Sequence, residues 1–222
     1  MIIDLPTRNL RANNFLIKDG ILFIRNRLSL KRVMSSLTYQ MKGRRKCFYC
    51  HEKFLPSQMT LDHLYPQEIG GPTITNNLVP CCNECNGRKA NMTQEEYFVF
   101  SHLSSTDEKL KYSIELSVRR KEFQKKGLYG LPAEWLQETS TNRIKFHTIK
   151  ISEEEYSRKQ EKFLECGHLP KPIVVDRKLN LLDGFHWLII ARNYDIKTVN
   201  VIKLDNVELI GAKRLEDLIS KG

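Results

Sequence analysis

The chain has 222 residues, room for one medium domain or two small ones, and 41% of them are hydrophobic, which supports a buried core and excludes wholesale disorder. No run approaches the ~20 apolar residues that cross a bilayer. The opening MIIDLPTRNLRANN has no basic stretch leading into an apolar one, so neither a signal peptide nor membrane contact is expected, and a reducing, cytoplasmic setting is. Lys and Arg number 36 against 26 Asp and Glu, a formal +10, and residues 1–60 hold 12 against 3. The excess therefore sits in the first quarter and points to a polyanionic partner, DNA being the obvious one.

Residues 1–28 mix short apolar runs with Arg and Asn and yield no clear element. From Ser29 to Gly43 the spacing predicts a helix, with Leu30, Val33, Met34, Leu37 and Met41 on one face. Its basic side runs on into Arg44, Arg45 and Lys46. Residues 47–91 are turn-rich. Thr93 and Glu96 form a capping box that opens a helix. A longer helix follows over 106–127, amphipathic through Leu110, Ile114 and Phe123. The polar QETSTN at 137–142 reads as a linker, giving a boundary between residues 1–142 and 143–222. Beyond it, RIKFHTIKI alternates like a strand, Ser152 and Glu155 cap a helix to about Cys166, and three short apolar runs suit strands around a helix at FHWLIIARNYD. The whole predicts an α+β protein: a helical N-terminal region, a metal-stapled core and a small α/β unit.

Cys47 and Cys50 are spaced C-x2-C, and so are Cys82 and Cys85, with 31 residues between the pairs. In a reducing compartment this is the spacing of a tetrahedral four-thiolate zinc site, each knuckle chelating one edge of the ion. Cys81 could compete with Cys82, but only Cys82 keeps the x2 spacing to Cys85. Cys166 reads as a core thiol. Between the knuckles lies TLDHLYP. Adjacent Asp62 and His63 on a strand face opposite sides, so one can hold an ion while the other meets a water. Phosphodiester hydrolysis needs a base near neutral pH and an oxygen-liganded cation on the phosphate.

The order Cys47-x2-Cys50, Asp62-His63, Pro66, Gly70-Gly71, Asn77-Leu78, Cys82-x2-Cys85-Asn86, Lys89 resembles the HNH endonucleases over about residues 44–92. The resemblance implies a ββα-metal core framed by four cysteines. It makes His63 the general base, Asp62 and Asn86 (with His63 beside them) holders of a catalytic Mg²⁺ or Mn²⁺, and Asn77 the residue that steadies the His63 loop. Asn86 stands where a second histidine often stands. The function implied is metal-dependent DNA cleavage, in restriction, phage defence or a mobile element. The alternatives are a zinc-stapled binding module with an inactive centre and a nucleotide-responsive regulator. Arg44, Arg45 and Lys46 are candidate DNA contacts. Arg88 and Lys89 are either phosphate contacts or simple surface charge.

Residues 143–205 resemble the ParB/sulfiredoxin fold: a PIVV strand, a D-G-x-H turn opening a helix, then a K-T-V-x-V strand. Asp183, Gly184 and His186 match that turn and become candidate ligand residues, for a nucleotide, DNA or a protein partner. Trp187 stands where the family carries arginine, which removes the best phosphate clamp.

Overall fold

The computed structural model describes residues 43–74, 77–125, 129–146 and 152–203, with the backbone of two short strands, β1 (Phe15–Lys18) and β2 (Ile21–Ile24), paired antiparallel. The helix expected from Ser29 and most of the basic first quarter lie outside the described residues. From residue 43 onward the chain falls into two compact units. One takes residues 43–67 and 71–97, the other 68–70 and 98–203.

The first unit has little regular structure. Strands β3 (Arg45–Lys46) and β4 (Lys53–Phe54) form a short hairpin that carries the first knuckle. His51, in the left-handed region at φ 61°, lets that knuckle turn. Strand β5 (Met59–His63) pairs antiparallel with β6 (Leu78–Cys82), matching Met59 to Cys82 and His63 to Leu78. Every residue of β6 is buried, which is why Leu-Val-Pro-Cys-Cys is uninterrupted by charge. The chain passes directly into helix α1 (Asn83–Lys89), which packs on β5 and β6. The Thr93/Glu96 box is formed in both directions, Thr93 N–H to Glu96 at 2.8 Å and Glu96 N–H to Thr93 Oγ1 at 3.2 Å, and opens α2 (Gln94–His102).

In the second unit α3 (Thr106–Lys125) forms as expected over its described residues, the expected stop at Gly127 lying outside them, but its apolar face is not buried as a whole. Leu116 is buried, whereas Leu110 and Ile114, on the side of the helix turned away from it, are 60% and 56% exposed. Residues 137–142 are not a linker. They form β7 (Leu136–Ser140) and a 3-10 turn, Thr141–Arg143. The remaining elements are α4 (Glu153–Cys166), β8 (Ile173–Val175), β9 (Leu181–Asp183), α5 (Phe185–Asn193) and β10 (Thr198–Lys203). The sheet order is β7-β10-β8-β9, with β10 and β8 parallel and the other pairs antiparallel. A boundary at residue 142 would therefore cut through one sheet. Among the described residues β7 is an edge strand, and its polar sequence is that of an edge facing water rather than of a tether. The strand expected from residue 143 reduces, where described, to a bridge between Lys145 and Asn180.

The core of this unit gathers Phe163 of α4, Ile173 and Val175 of β8, Leu188 and Ile190 of α5, and Val199 and Val201 of β10. In β10 the buried valines alternate with exposed Thr198 and Asn200, the period-two pattern of a half-buried strand. Two expectations fail at α4. Cys166, read as a core thiol, is exposed at the last turn. Ser152 accepts from Glu155 N–H at 3.4 Å, but the Glu155 carboxylate turns to Lys159 at 2.6 Å instead of returning to the cap. A nearby ammonium outcompetes a neutral backbone donor for a carboxylate.

Candidate active site

The four knuckle thiols come together. The sulfurs of Cys47, Cys50, Cys82 and Cys85 all lie within 4.8 Å of one another. A tetrahedral ion with bonds of about 2.3 Å needs sulfurs roughly 3.8 Å apart, so small adjustments would close the site. Backbone N–H groups already point at the sulfurs: Tyr49 and Cys82 donate to Cys47 Sγ at 3.4 and 3.3 Å, and Cys85 donates to Cys82 Sγ at 3.3 Å. Burial alone would raise the Cys47 thiol. The N–H groups of Cys50, Cys82 and Tyr49 outweigh it and hold the thiol below its ordinary value, favouring the thiolate that a metal requires. Cys81 is fully buried but stands outside the cluster, because successive residues of β6 face opposite ways. Burial, followed by the charge of Asp62, pushes the Cys81 thiol well up, so it stays a neutral core residue.

The second cluster sits at the end of β5. Asp62 is 6% exposed and His63 half-buried. Asp62 Oδ2 accepts from the Tyr49 hydroxyl at 2.6 Å and pairs with Lys89 Nζ at 2.9 Å. Burial pushes the Asp62 carboxyl up, against the pull of the Lys89 ammonium and the Tyr49 phenol. His63 Nε2 lies 2.9 Å from Thr73 Oγ1, which also accepts from Gln67 Nε2 at 2.5 Å. Asn77, fully buried, holds the loop after His63: its Oδ1 accepts from Tyr65 N–H at 2.9 Å, and its Nδ2 donates to Tyr65 O at 2.9 Å and Pro72 O at 2.8 Å. Gly71 closes the same loop. A Cβ there would meet Tyr65 O at 1.8 Å, so only glycine lets the backbone pass this close. Asn86 is half-buried on α1, one turn before Lys89 and therefore near the helix face that meets Asp62.

Lys89 is not a surface residue. Its side chain is 0% exposed, with Nζ donating to His63 O at 2.7 Å as well as pairing with Asp62, so neither a phosphate contact nor simple surface charge describes it. Arg88 is exposed and paired with Glu84 at 2.6 Å on the same helix. Arg44 and Lys46 are exposed, and Arg45 is half-buried. Tyr49, Gln67 and Thr73 carry no motif signal. Only the closeness of Tyr49 to the first knuckle, between Cys47 and Cys50, hints at a place in the site.

In the second unit, Asp183 is exposed and its Oδ1 accepts from Gly184 N–H at 2.7 Å. Gly184, at φ 92°, precedes α5. His186 is engaged by α4, with Nδ1 3.3 Å from Lys159 Nζ and 3.8 Å from Glu155. Trp187 is 7% exposed and belongs to the core, which explains why no cation stands at that position. No helix among the described residues is long and apolar enough to cross a membrane.

A β-hairpin running into a helix, with a four-cysteine cluster at its base and an Asp-His pair at its rim, has the form of a ββα-metal module. Residues 47–98 match the family model described as HNH endonuclease. No curated protein matches the chain. Among solved structures, a Pnob8-like ParB-N domain aligns at 22% identity over 31% of this chain, with a TM-score of 0.28. The alignment spans 28% of that domain's own chain.

Proposed function

We propose that the chain is a metal-dependent endonuclease that hydrolyses phosphodiester bonds in DNA. The observation that supports this best is the pairing of Asp62 on β5 with Lys89 of α1 at 2.9 Å, which holds the Asp62–His63 end of the strand against the helix that carries Asn86 and one of the four clustered cysteines, Cys85. His63, steadied by Thr73 and by the Asn77-held loop, would take the proton from the attacking water. The water oxygen then bonds to phosphorus and one ester P–O bond breaks, the departing oxygen being reprotonated from solvent. Asp62 and Asn86 offer a carboxylate and an amide oxygen, a hard donor set that suits Mg²⁺ or Mn²⁺ rather than a thiophilic ion. Such an ion would supply charge stabilisation on the phosphate. Zinc is proposed for the four thiols, in a structural role. Arg44, Arg45, Lys46 and Arg88 are proposed as backbone-phosphate contacts, and the second unit as an accessory domain for DNA, a ligand or a partner.

Cleavage of supercoiled plasmid with Mg²⁺ or Mn²⁺ tests the reading. His63→Ala should lower the rate about 10²–10⁴-fold while zinc content, fold and DNA affinity are kept, because a base acts in the transition state. Cleavage that survives His63→Ala at the wild-type rate, or a wild-type protein that binds DNA without cutting it, would favour the binding-module reading.

A further inference from the structure

We infer that Lys89 and Tyr49 are positioning residues that clamp the Asp62–His63 pair from its buried side. The inference rests on Asp62 as the carboxylate that receives the ion. Both donors converge on one atom, Asp62 Oδ2: the Tyr49 hydroxyl at 2.6 Å and Lys89 Nζ at 2.9 Å. A carboxylate gripped by two donors on one oxygen cannot rotate freely, so the direction of its second oxygen is set. The same ammonium donates to His63 O at 2.7 Å and thereby ties the backbone of the neighbouring residue. One side chain thus fixes both members of the pair.

Stability alone does not account for this arrangement. Desolvating an ammonium costs several kcal/mol, and apolar side chains of similar volume often serve a core as well or better than a buried ion pair. Lys89 is nevertheless fully buried at the last position of a seven-residue helix. Tyr49 is braced edge-on by Phe48 and Tyr97, with ring centroids 5.1 and 5.2 Å away. It also lies between Cys47 and Cys50, so one jaw of the clamp is built into the thiolate site and the other into the helix that carries Asn86. Outer partners of metal-binding groups act through orientation, and losing one typically weakens metal affinity 10–100-fold.

The test uses the full-length zinc-loaded protein and Mn²⁺ as probe. Mn²⁺ affinity is read by electron paramagnetic resonance as the bound fraction that Asp62→Ala removes, alongside kcat and KM for plasmid cleavage. Tyr49→Phe, which deletes one hydroxyl, should weaken Mn²⁺ binding roughly tenfold. It should also lower kcat with KM for DNA unchanged, and excess Mn²⁺ should restore part of the rate. Lys89→Met should do the same more strongly. If it fails to fold, Tyr49→Phe decides. A lower melting temperature with unchanged Mn²⁺ affinity and kcat would overturn the clamp and leave the nuclease reading standing. Weakened Mn²⁺ binding in variants of a protein that never cleaves DNA would keep the clamp and overturn the nuclease reading. No Mn²⁺ signal dependent on Asp62 would overturn the clamp.

Discussion

The two units solve the problem of staying folded in opposite ways. The C-terminal unit buries an apolar cluster between a four-stranded sheet and two helices. The knuckle unit has two-stranded sheets, one of them two residues long, and a helix of seven residues. It buries Asp62, Thr73, Asn77, Lys89 and Thr93, each with a named hydrogen-bond partner. A region that shares its interior between polar groups and a small apolar set, with Leu61, Leu78 and Val79 in it, gains defined positions for the polar groups and has less hydrophobic stabilisation. Zinc at the four cysteines, as proposed, would fill that gap. The proposed zinc site and the proposed catalytic residues would then share one unit for one physical reason.

The sharpest way to break this contrast is to remove the zinc proposed for the four cysteines. Chelation, or Cys82→Ser, should release about one zinc per chain and abolish hydrogen-exchange protection over 43–67 and 71–97, since structural zinc contributes roughly 10–16 kcal/mol in small modules. Amides of 173–203 should stay protected, and Cys81→Ser should keep its zinc. The complementary lesion is Leu188→Ala, at a position with no exposure. It should cost about 2–5 kcal/mol in denaturant unfolding and leave zinc content unchanged. A smaller effect belongs to Asn77→Ala, which strands the Tyr65 N–H and the Tyr65 and Pro72 carbonyls. A total penalty of about 1–3 kcal/mol is expected, since Tyr65 is only half-buried and water can take over part of what is lost, with cleavage falling further than stability because the His63 loop loses its anchor.

The smallest effect is one of pH. Burial, then the Lys159 charge, holds His186 below its ordinary value, with Glu155 pulling the other way. A histidine with a lowered folded-state pKa resists protonation, so below about pH 6.5 the unfolded chain takes up the proton first and folding stability falls. His186→Gln should flatten the acid side of the thermal-stability profile between pH 7 and 5. Unchanged acid sensitivity would place the titrating group elsewhere.

What was legible in the sequence followed locality. Paired C-x2-C knuckles, the Thr93/Glu96 box and the Asp62-His63 dipeptide are short-range signals, and each corresponds to a formed feature. Lys89 misled because its neighbours Asn86, Gly87 and Arg88 are half-buried or exposed. Nothing nearby in sequence announces that its side chain turns inward to a strand 26 residues away. Tyr49 and Thr73 were invisible for the same reason, as their partners are fixed by tertiary approach. In the second unit, β7 was missed because edge strands tolerate polarity that an interior strand does not. The α3 apolar row was over-read, since helical spacing shows that a face exists and not that another element covers it.

That polar edge has a consequence for how the protein behaves at high concentration. Strand β7 presents Gln137 and Glu138 to solvent, and Glu138 is bonded to Thr198 on β10. An incoming strand would have to desolvate a carboxylate and pair against a rim of five residues. The residues that look like idle spacer thus discourage copies of the chain from stacking edge to edge into aggregates.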